Sequence, residues 1–125
     1  MQTPPVRVAG FFVVRMNMDF SKLDGLIPAV VQDHISGEVL MVGFMNPEAW
    51  EITKRTGYVT FFSRTRNTLW TKGETSGNRL QVDRILVDCD DDTLLLLVTT
   101  LGDGNVCHTG ERTCFFRVLE EGTIK

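Results

Sequence analysis

The sequence has few cysteines and histidines and no long hydrophobic run. Its 125 residues include three cysteines and two histidines, and three cysteines are an odd number, too few for a disulfide framework. The longest apolar stretches, residues 10–14 and 94–98, are too short to span a membrane, and the N-terminus lacks the basic and apolar regions of a secretory signal. We therefore expect a cytoplasmic protein with reduced thiols, which serve in packing, metal binding or catalysis.

An excess of positive charge is also absent. Thirteen Lys and Arg against sixteen Asp and Glu leave a formal net charge of −3, so no global positive field attracts nucleic acid or an anionic membrane. The chain has no internal repeat and no Ser/Gly linker, so residues 1–125 are expected to form one domain. A chain this short buries one modest core, and a sizeable substrate would need a cleft shared with a second chain.

Turn residues separate several segments of high β propensity. Residues 29–32 and 39–44 are apolar and flank a turn at residues 33–37, which predicts a hairpin. β-branched and aromatic residues predict further strands at residues 58–63, 69–72, 82–89, 94–100 and 114–119.

One segment has the signals of a helix at both ends. Asn46 is a good N-cap, Pro47 suits the first helical position, and Gly57 can end the helix after two basic residues. The expected helix spans residues 47–56. The predicted fold class is therefore α+β, with mostly antiparallel strands and one main helix.

The cysteines and a neighbouring histidine are candidate metal ligands. Six residues separate Cys107 from Cys114, which is wider than a zinc-ribbon spacing and a weak metal signal. With Cys89 as the third ligand, a tetrahedral Zn²⁺ would keep one open position, where a bound water ionises near neutral pH. His108 could be a fourth ligand or a proton shuttle. The alternatives are small buried cysteines and a histidine held in the core or in a loop.

An acidic run, Asp88-Cys89-Asp90-Asp91-Asp92, ends one of the predicted strands. In an extended chain Asp88 and Asp90 point to one side, and Asp92 can join them at the turn, whereas Cys89 points to the other side. Clustered carboxylates repel one another unless a cation compensates, and oxygen ligands suit Mg²⁺ or Ca²⁺. One strand end could thus serve two sites. The alternative is an acidic hairpin turn exposed to water.

Residues 63–77 form a local basic segment in a chain that is acidic overall. Arginine and lysine can hold phosphate, hydroxyls and glycine-freed backbone N–H groups add donors, and an indole ring could stack on a base. No Walker A motif is present. The candidate binding residues are Ser63, Arg64, Arg66, Trp70, Lys72, Thr75 and Ser76. The alternative is a solvated hairpin with the tryptophan in the core.

These segments, in this order, resemble the phosphoribosyl-AMP cyclohydrolase family, which acts in the third step of histidine biosynthesis. The matching stretches are residues 45–49, 63–66, 69–77, 88–92 and 107–115. The resemblance implies a hydrolase in which a zinc-activated water opens the adenine ring of 1-(5-phosphoribosyl)-AMP between N1 and C6. The product is the phosphoribosyl-formimino-aminoimidazole carboxamide ribonucleotide. Because no pyrophosphohydrolase extension follows Lys125, we expect the single-function form.

The resemblance also implies a site shared between the chains of a homodimer. Zn²⁺ is then held by Cys107, Cys114 and Cys89 of the partner subunit. Mg²⁺ is associated with Asp88, Asp90 and Asp92. His108 would manage protons, with Glu74 as a second candidate. One departure from the family pattern is Asn78, which stands where His is frequent and raises a question about a secondary contact.

Two functions of other classes remain open. A zinc-stabilised, non-catalytic interaction or nucleotide-binding module would use the same thiols. Its zinc would need four protein ligands with no open coordination position, and it would not need a basic phosphate loop. A nucleic-acid binder would use the basic segment, but the net charge of −3 argues against a duplex footprint. We therefore expect a small nucleotide substrate and a second copy of the chain as the partners, with no nucleic acid and no membrane.

Overall fold

The computed structural model describes residues 18–120, the backbone of strands at residues 5–8 and 11–14, and residues 122–124. The elements in chain order are β1 (Pro5–Val8), β2 (Phe11–Val14), β3 (Ile27–Asp33), β4 (Val39–Met45), α1 (Pro47–Thr56), β5 (Thr60–Ser63), β6 (Thr68–Thr71), β7 (Leu80–Val87), β8 (Leu94–Thr100), β9 (Leu119–Glu120) and β10 (Thr123–Ile124). Among the described residues, no helix is long and apolar enough to cross a membrane.

The main sheet has four strands in the order β4-β3-β8-β7. Strands β3 and β4 form the predicted antiparallel hairpin, and β7 pairs with β8 in the same way. Strands β3 and β8 run parallel, with Ala29 beside Leu94 and Val31 beside Leu96. The α+β class with mostly antiparallel strands is confirmed, and this central pair is the exception.

Helix α1 has the predicted bounds because its caps form as the sequence indicates. The Asn46 side chain accepts a hydrogen bond from the backbone N–H of Ala49 at 2.8 Å, and Gly57 takes a left-handed conformation with φ of 79°. Ala49 and Trp50 are buried in the core, together with residues of the main sheet. The helix thus covers part of the sheet and fixes the start of β5.

Strands β5 and β6 form a separate two-stranded hairpin that carries the basic segment. Phe61 of β5 is buried, and its ring lies 5.1 Å from the Trp70 ring of β6. A Cβ atom added to Gly43 of β4 would lie 2.5 Å from the Phe61 ring, so only glycine permits this close approach. A backbone hydrogen bond from Lys72 to Val59, at 3.1 Å, ties the hairpin to the segment before it.

The prediction of a strand at residues 114–119 is wrong. Only Leu119–Glu120 pair, in the short β9. The chain before β9 is instead bound to the start of β4, because the Thr113 hydroxyl donates to the Val39 carbonyl at 2.7 Å and the Cys114 N–H donates to the Leu40 carbonyl at 2.8 Å. These contacts are non-local, and no propensity of the segment encodes them.

Candidate active site

One cleft of about 670 Å³ brings together most of the predicted site residues. It lies between the β5–β6 hairpin, the loop that follows β6 and the cysteine loop at residues 107–114. Its lining includes Ser63, Arg66, Trp70, Lys72, Glu74, Thr75, Ser76, His108 and Cys114. The basic segment and Cys114 are thus neighbours in space, although 36 residues lie between Gly77 and Cys114 in the chain.

The loop after β6 needs its glycine. Gly73 has a φ of +78°, and a Cβ atom there would lie 2.2 Å from the backbone carbon of Asn78. The Asn78 side chain donates to Asp103 at 2.8 Å and accepts from the Asp103 N–H at 3.1 Å. Asn78 therefore joins this loop to the loop after β8. In this structure the Asn78 side chain is thus bonded to that loop.

The sequence left open whether Trp70 packs in the core or faces a ligand, and in the structure it does both. The ring packs against the hydrophobic core beside Phe61, and it also lines the cleft. An indole held in this way offers a fixed apolar face to a ligand ring.

Arg64 does not line the cleft of the cysteine loop, although it shares a smaller cleft of about 220 Å³ with Ser63 and Trp70. Its guanidinium lies over the Phe44 ring, 4.1 Å from the centroid. It lines a neighbouring cleft of about 900 Å³ together with Lys22, Asn46 and Phe62. Arg66, two positions later in the same turn, lines the cleft of the cysteine loop.

The thiols of Cys107 and Cys114 lie close enough for each to shift the pKa of the other. The Thr109 hydroxyl donates to Cys107 Sγ at 3.0 Å, and this hydrogen bond lowers the pKa of the Cys107 thiol. Partial desolvation raises the pKa of the exposed Cys114 thiol, whereas the positive charge of Lys72 acts to lower the pKa of both thiols. All three cysteines are free, and none is buried, so the alternative of small buried cysteines is wrong. His108 is exposed on the wall of the same cleft.

Cys89 does not join the other two cysteines within one chain. Over residues 18–120, a single set of three or more ligand side chains has its donor atoms within 4.8 Å of one another, and it consists of Asp88, Asp90 and Asp92. Cys89 is exposed beside this set. The two thiols are donors that suit Zn²⁺, but His108 does not form a set of three close donors with them, so a third thiolate would have to come from elsewhere.

The carboxylates of the acidic run meet as predicted, but not for the predicted reason. Strand β7 ends at Val87, so Asp88–Asp92 form a turn rather than an extended strand end. The Asp88 carboxylate accepts hydrogen bonds from the N–H groups of Asp92 at 3.0 Å and Thr93 at 3.1 Å. Asp91 takes a left-handed φ of 62°, which aspartate tolerates well. This closed turn, and not strand alternation, gathers the three carboxylates.

The ionisable groups of the acidic turn shift one another's pKa values. Hydrogen bonding, first with Asp88 and then with Lys22, lowers the pKa of Asp92 to about 2, whereas desolvation raises the pKa of Asp88. The Lys22 ammonium lies 2.8 Å from an Asp90 oxygen and 3.0 Å from an Asp92 oxygen. A cation thus already sits among these oxygens, and their hard donor set fits Mg²⁺. Sequence reasoning missed Lys22, because no motif surrounds it and 68 residues separate it from Asp90.

Known proteins resemble this chain over most of its length. The profile of the phosphoribosyl-AMP cyclohydrolase family matches residues 41–116. The chain is 56% identical over 110 residues to the phosphoribosyl-AMP cyclohydrolase of Solibacter usitatus, covering 88% of this chain and 86% of that protein. The phosphoribosyl-AMP cyclohydrolase of Desulfotalea psychrophila is 51% identical over 112 residues, or 90% of this chain and 87% of that protein. A histidine biosynthesis bifunctional protein of Escherichia coli is 56% identical over 101 residues, which are 81% of this chain and 49% of that protein.

Proposed function

Since the chain belongs to the phosphoribosyl-AMP cyclohydrolase family, whose members are enzymes of histidine biosynthesis, we propose that it hydrolyses the N1–C6 bond of 1-(5-phosphoribosyl)-AMP. The observation that carries this proposal is the single cleft lined by a basic hydroxyl-rich loop, an indole ring, His108 and Cys114. The basic loop can bind the phosphate of a phosphorylated purine, and the indole ring can stack on the purine. His108 can transfer protons during its hydrolysis.

The cysteine loop would hold Zn²⁺. Cys107 and Cys114 supply two thiolates from one chain, and Cys89 of the partner subunit supplies the third. When bound, the ion supplies a water that ionises near neutral pH, the nucleophile that ring opening requires. The adenine ring of the substrate is substituted at N1 and therefore electron-poor, which opens C6 to attack. Lys72 assists by favouring the thiolate form of both cysteines.

Proton transfer is the role we assign to His108. The imidazole lines the cleft on the residue that follows Cys107, so it can accept a proton from the attacking water and return it to the departing ring nitrogen. Glu74 lines the same cleft and is the second candidate for this role. Trp70 would orient the purine by stacking.

A homodimer would complete the site. Cys89 is exposed and outside the cleft, so its thiol is free to reach a neighbouring chain. The segment after Cys114 exposes several large apolar side chains, Phe115, Phe116, Val118 and Leu119. Exposed apolar side chains close together in the chain are typical of a protein interface. We expect this homodimer to work in the cytoplasm, with no nucleic acid and no membrane as a partner.

Direct assay tests the function. The protein, purified with its metals, is given 1-(5-phosphoribosyl)-AMP while absorbance follows loss of the purine ring and elemental analysis counts the metals. We expect turnover that stops after chelation and returns with zinc. Zinc without turnover would favour the non-catalytic module, and tight binding of duplex DNA or RNA without turnover would favour the nucleic-acid binder.

Arg66→Ala is expected to raise KM about tenfold and to leave kcat nearly unchanged. Removal of a phosphate-binding side chain from an exposed site weakens the ground state and the transition state alike, and a charged hydrogen bond of about 1.5 kcal/mol corresponds to about tenfold. Steady-state kinetics measure this split. Arg55→Ala, in the last turn of α1, is the matched control with unchanged KM. A loss confined to kcat would move Arg66 into the chemical step.

Asp90→Asn is expected to lower the affinity for Mg²⁺ about tenfold or more and to leave the zinc content unchanged. Mg²⁺ needs the carboxylate charges of Asp88, Asp90 and Asp92, whereas the zinc ligands are thiols. Calorimetric titration with Mg²⁺ and elemental analysis measure the two effects. Asp91→Asn is the control, because Asp91 lies in the same turn outside the carboxylate set. Equal Mg²⁺ affinity in both variants would indicate that the turn is only a solvated acidic loop and not a Mg²⁺ site.

A further inference from the structure

Arg112 lies between the two cysteines of the cleft and ties their loop to distant parts of the fold. Its Nε donates to Glu38 at 3.2 Å, Nη1 donates to Thr100 at 2.8 Å, and Nη2 donates to Asp33 at 3.1 Å. Nη1 also donates to the backbone carbonyl of Gly104. One guanidinium thus holds the end of β3, the β3–β4 turn, strand β8 and the loop after β8.

These contacts stabilise a loop that has no regular secondary structure of its own. Within the loop, the Cys107 N–H donates to the Glu111 carbonyl at 3.0 Å, and the Gly110 N–H donates to the Cys107 carbonyl at 2.9 Å. These bonds close the first half of the loop on itself but do not connect it to the sheet. Arg112 connects the loop to the end of β3 and to β8, and the next two residues, Thr113 and Cys114, bond to the start of β4.

The partners of Arg112 assign most of its guanidinium N–H groups to contacts within the protein. All three donor nitrogens are occupied by protein acceptors, and Arg112 does not line the cleft of the cysteine loop. A planar guanidinium fits several fixed acceptors at once, which a lysine ammonium cannot reproduce. The side chain is therefore suited to fix a backbone geometry.

We propose that Arg112 is a positioning residue, which holds the thiols of Cys107 and Cys114 in a binding geometry before the metal arrives. This inference rests on the proposed zinc site. A loop already held in place loses less conformational entropy when the ion binds, so the contacts of Arg112 contribute to zinc affinity without touching the ion.

Arg112→Gln is expected to weaken zinc binding about tenfold or more, the range seen for residues that support metal ligands. Competition with a chromophoric chelator measures the affinity, and near-UV circular dichroism with the melting temperature reports the fold. Arg112→Lys should bind with intermediate affinity, and Arg55→Gln, on the exposed helix end, should bind like the wild type. At saturating zinc the activity of Arg112→Gln should return towards that of the wild type, because the residue takes no part in the chemical step.

Wild-type affinity for zinc in a folded Arg112→Gln protein would overturn the inference. If that variant does not fold, Glu38→Ala combined with Thr100→Val removes two acceptors and leaves the arginine in place, and at least a threefold loss of zinc affinity is expected. Unchanged affinity there would also overturn it. A wild-type protein that binds no zinc would instead refute the proposed function, so the two failures are distinguishable.

Discussion

Cys107→Ala and Cys114→Ala are each expected to remove bound zinc and to lower activity on the order of 1000-fold or more. The two thiols influence each other's pKa and supply two of the three proposed ligands, and the loss of one of three thiolates leaves too few ligands for tight binding. Without the ion, the pKa of the attacking water rises far above neutral pH, so almost no hydroxide is available.

Elemental analysis and the absorbance assay measure these losses on the same samples. Thr109→Val serves as the graded control, because it keeps all three thiols and removes only the 3.0 Å hydrogen bond to Cys107 Sγ. It should retain zinc with weaker affinity. Full activity in either alanine variant would refute the zinc mechanism.

Mixing two inactive variants, Cys89→Ala and Cys107→Ala, is expected to restore activity once their chains exchange. If ligands are shared across a two-fold interface, a mixed dimer has one site with both defects and one site with neither. Each mixed dimer then has about half of the wild-type activity. An equal mixture, in which about half of the dimers are mixed, should reach about a quarter.

Exchange is monitored separately, by native mass spectrometry of chains that differ by a tag. A mixture that contains mixed dimers but has no activity would mean that every site lies within one chain. That result would refute the shared site and leave the zinc chemistry intact. Mixing Cys107→Ala with Cys114→Ala is the control, since both defects fall on the same half of the site and no intact site can form.

Local sequence determined the elements whose signals lie within a few residues. The bounds of α1 follow from the cap at Asn46, the proline after it and the left-handed Gly57. The β3–β4 hairpin follows from two apolar runs around one turn. Strand β8 has the predicted bounds because five consecutive apolar residues leave little choice of face.

Where contacts between distant segments compete with local propensity, the sequence was a poorer guide. The β-prone residues after Thr113 do not form the predicted strand, because hydrogen bonds to Val39 and Leu40 hold the chain in another conformation. The acidic residues after β7 were expected to alternate on a strand, but Asp88 caps a turn and gathers the carboxylates in a different way.

The candidate residues of the site could be chosen from the sequence, because thiols, carboxylates and a basic loop carry their chemistry in their side chains. Only the tertiary structure decided which of them meet. It brings Cys114 and His108 to the basic loop, turns Arg64 towards Phe44 and brings Lys22 to the acidic turn. The physical reason is that such pairings depend on the parallel packing of β3 against β8 and on the loop contacts of Arg112, which join segments far apart in the chain and leave no local pattern.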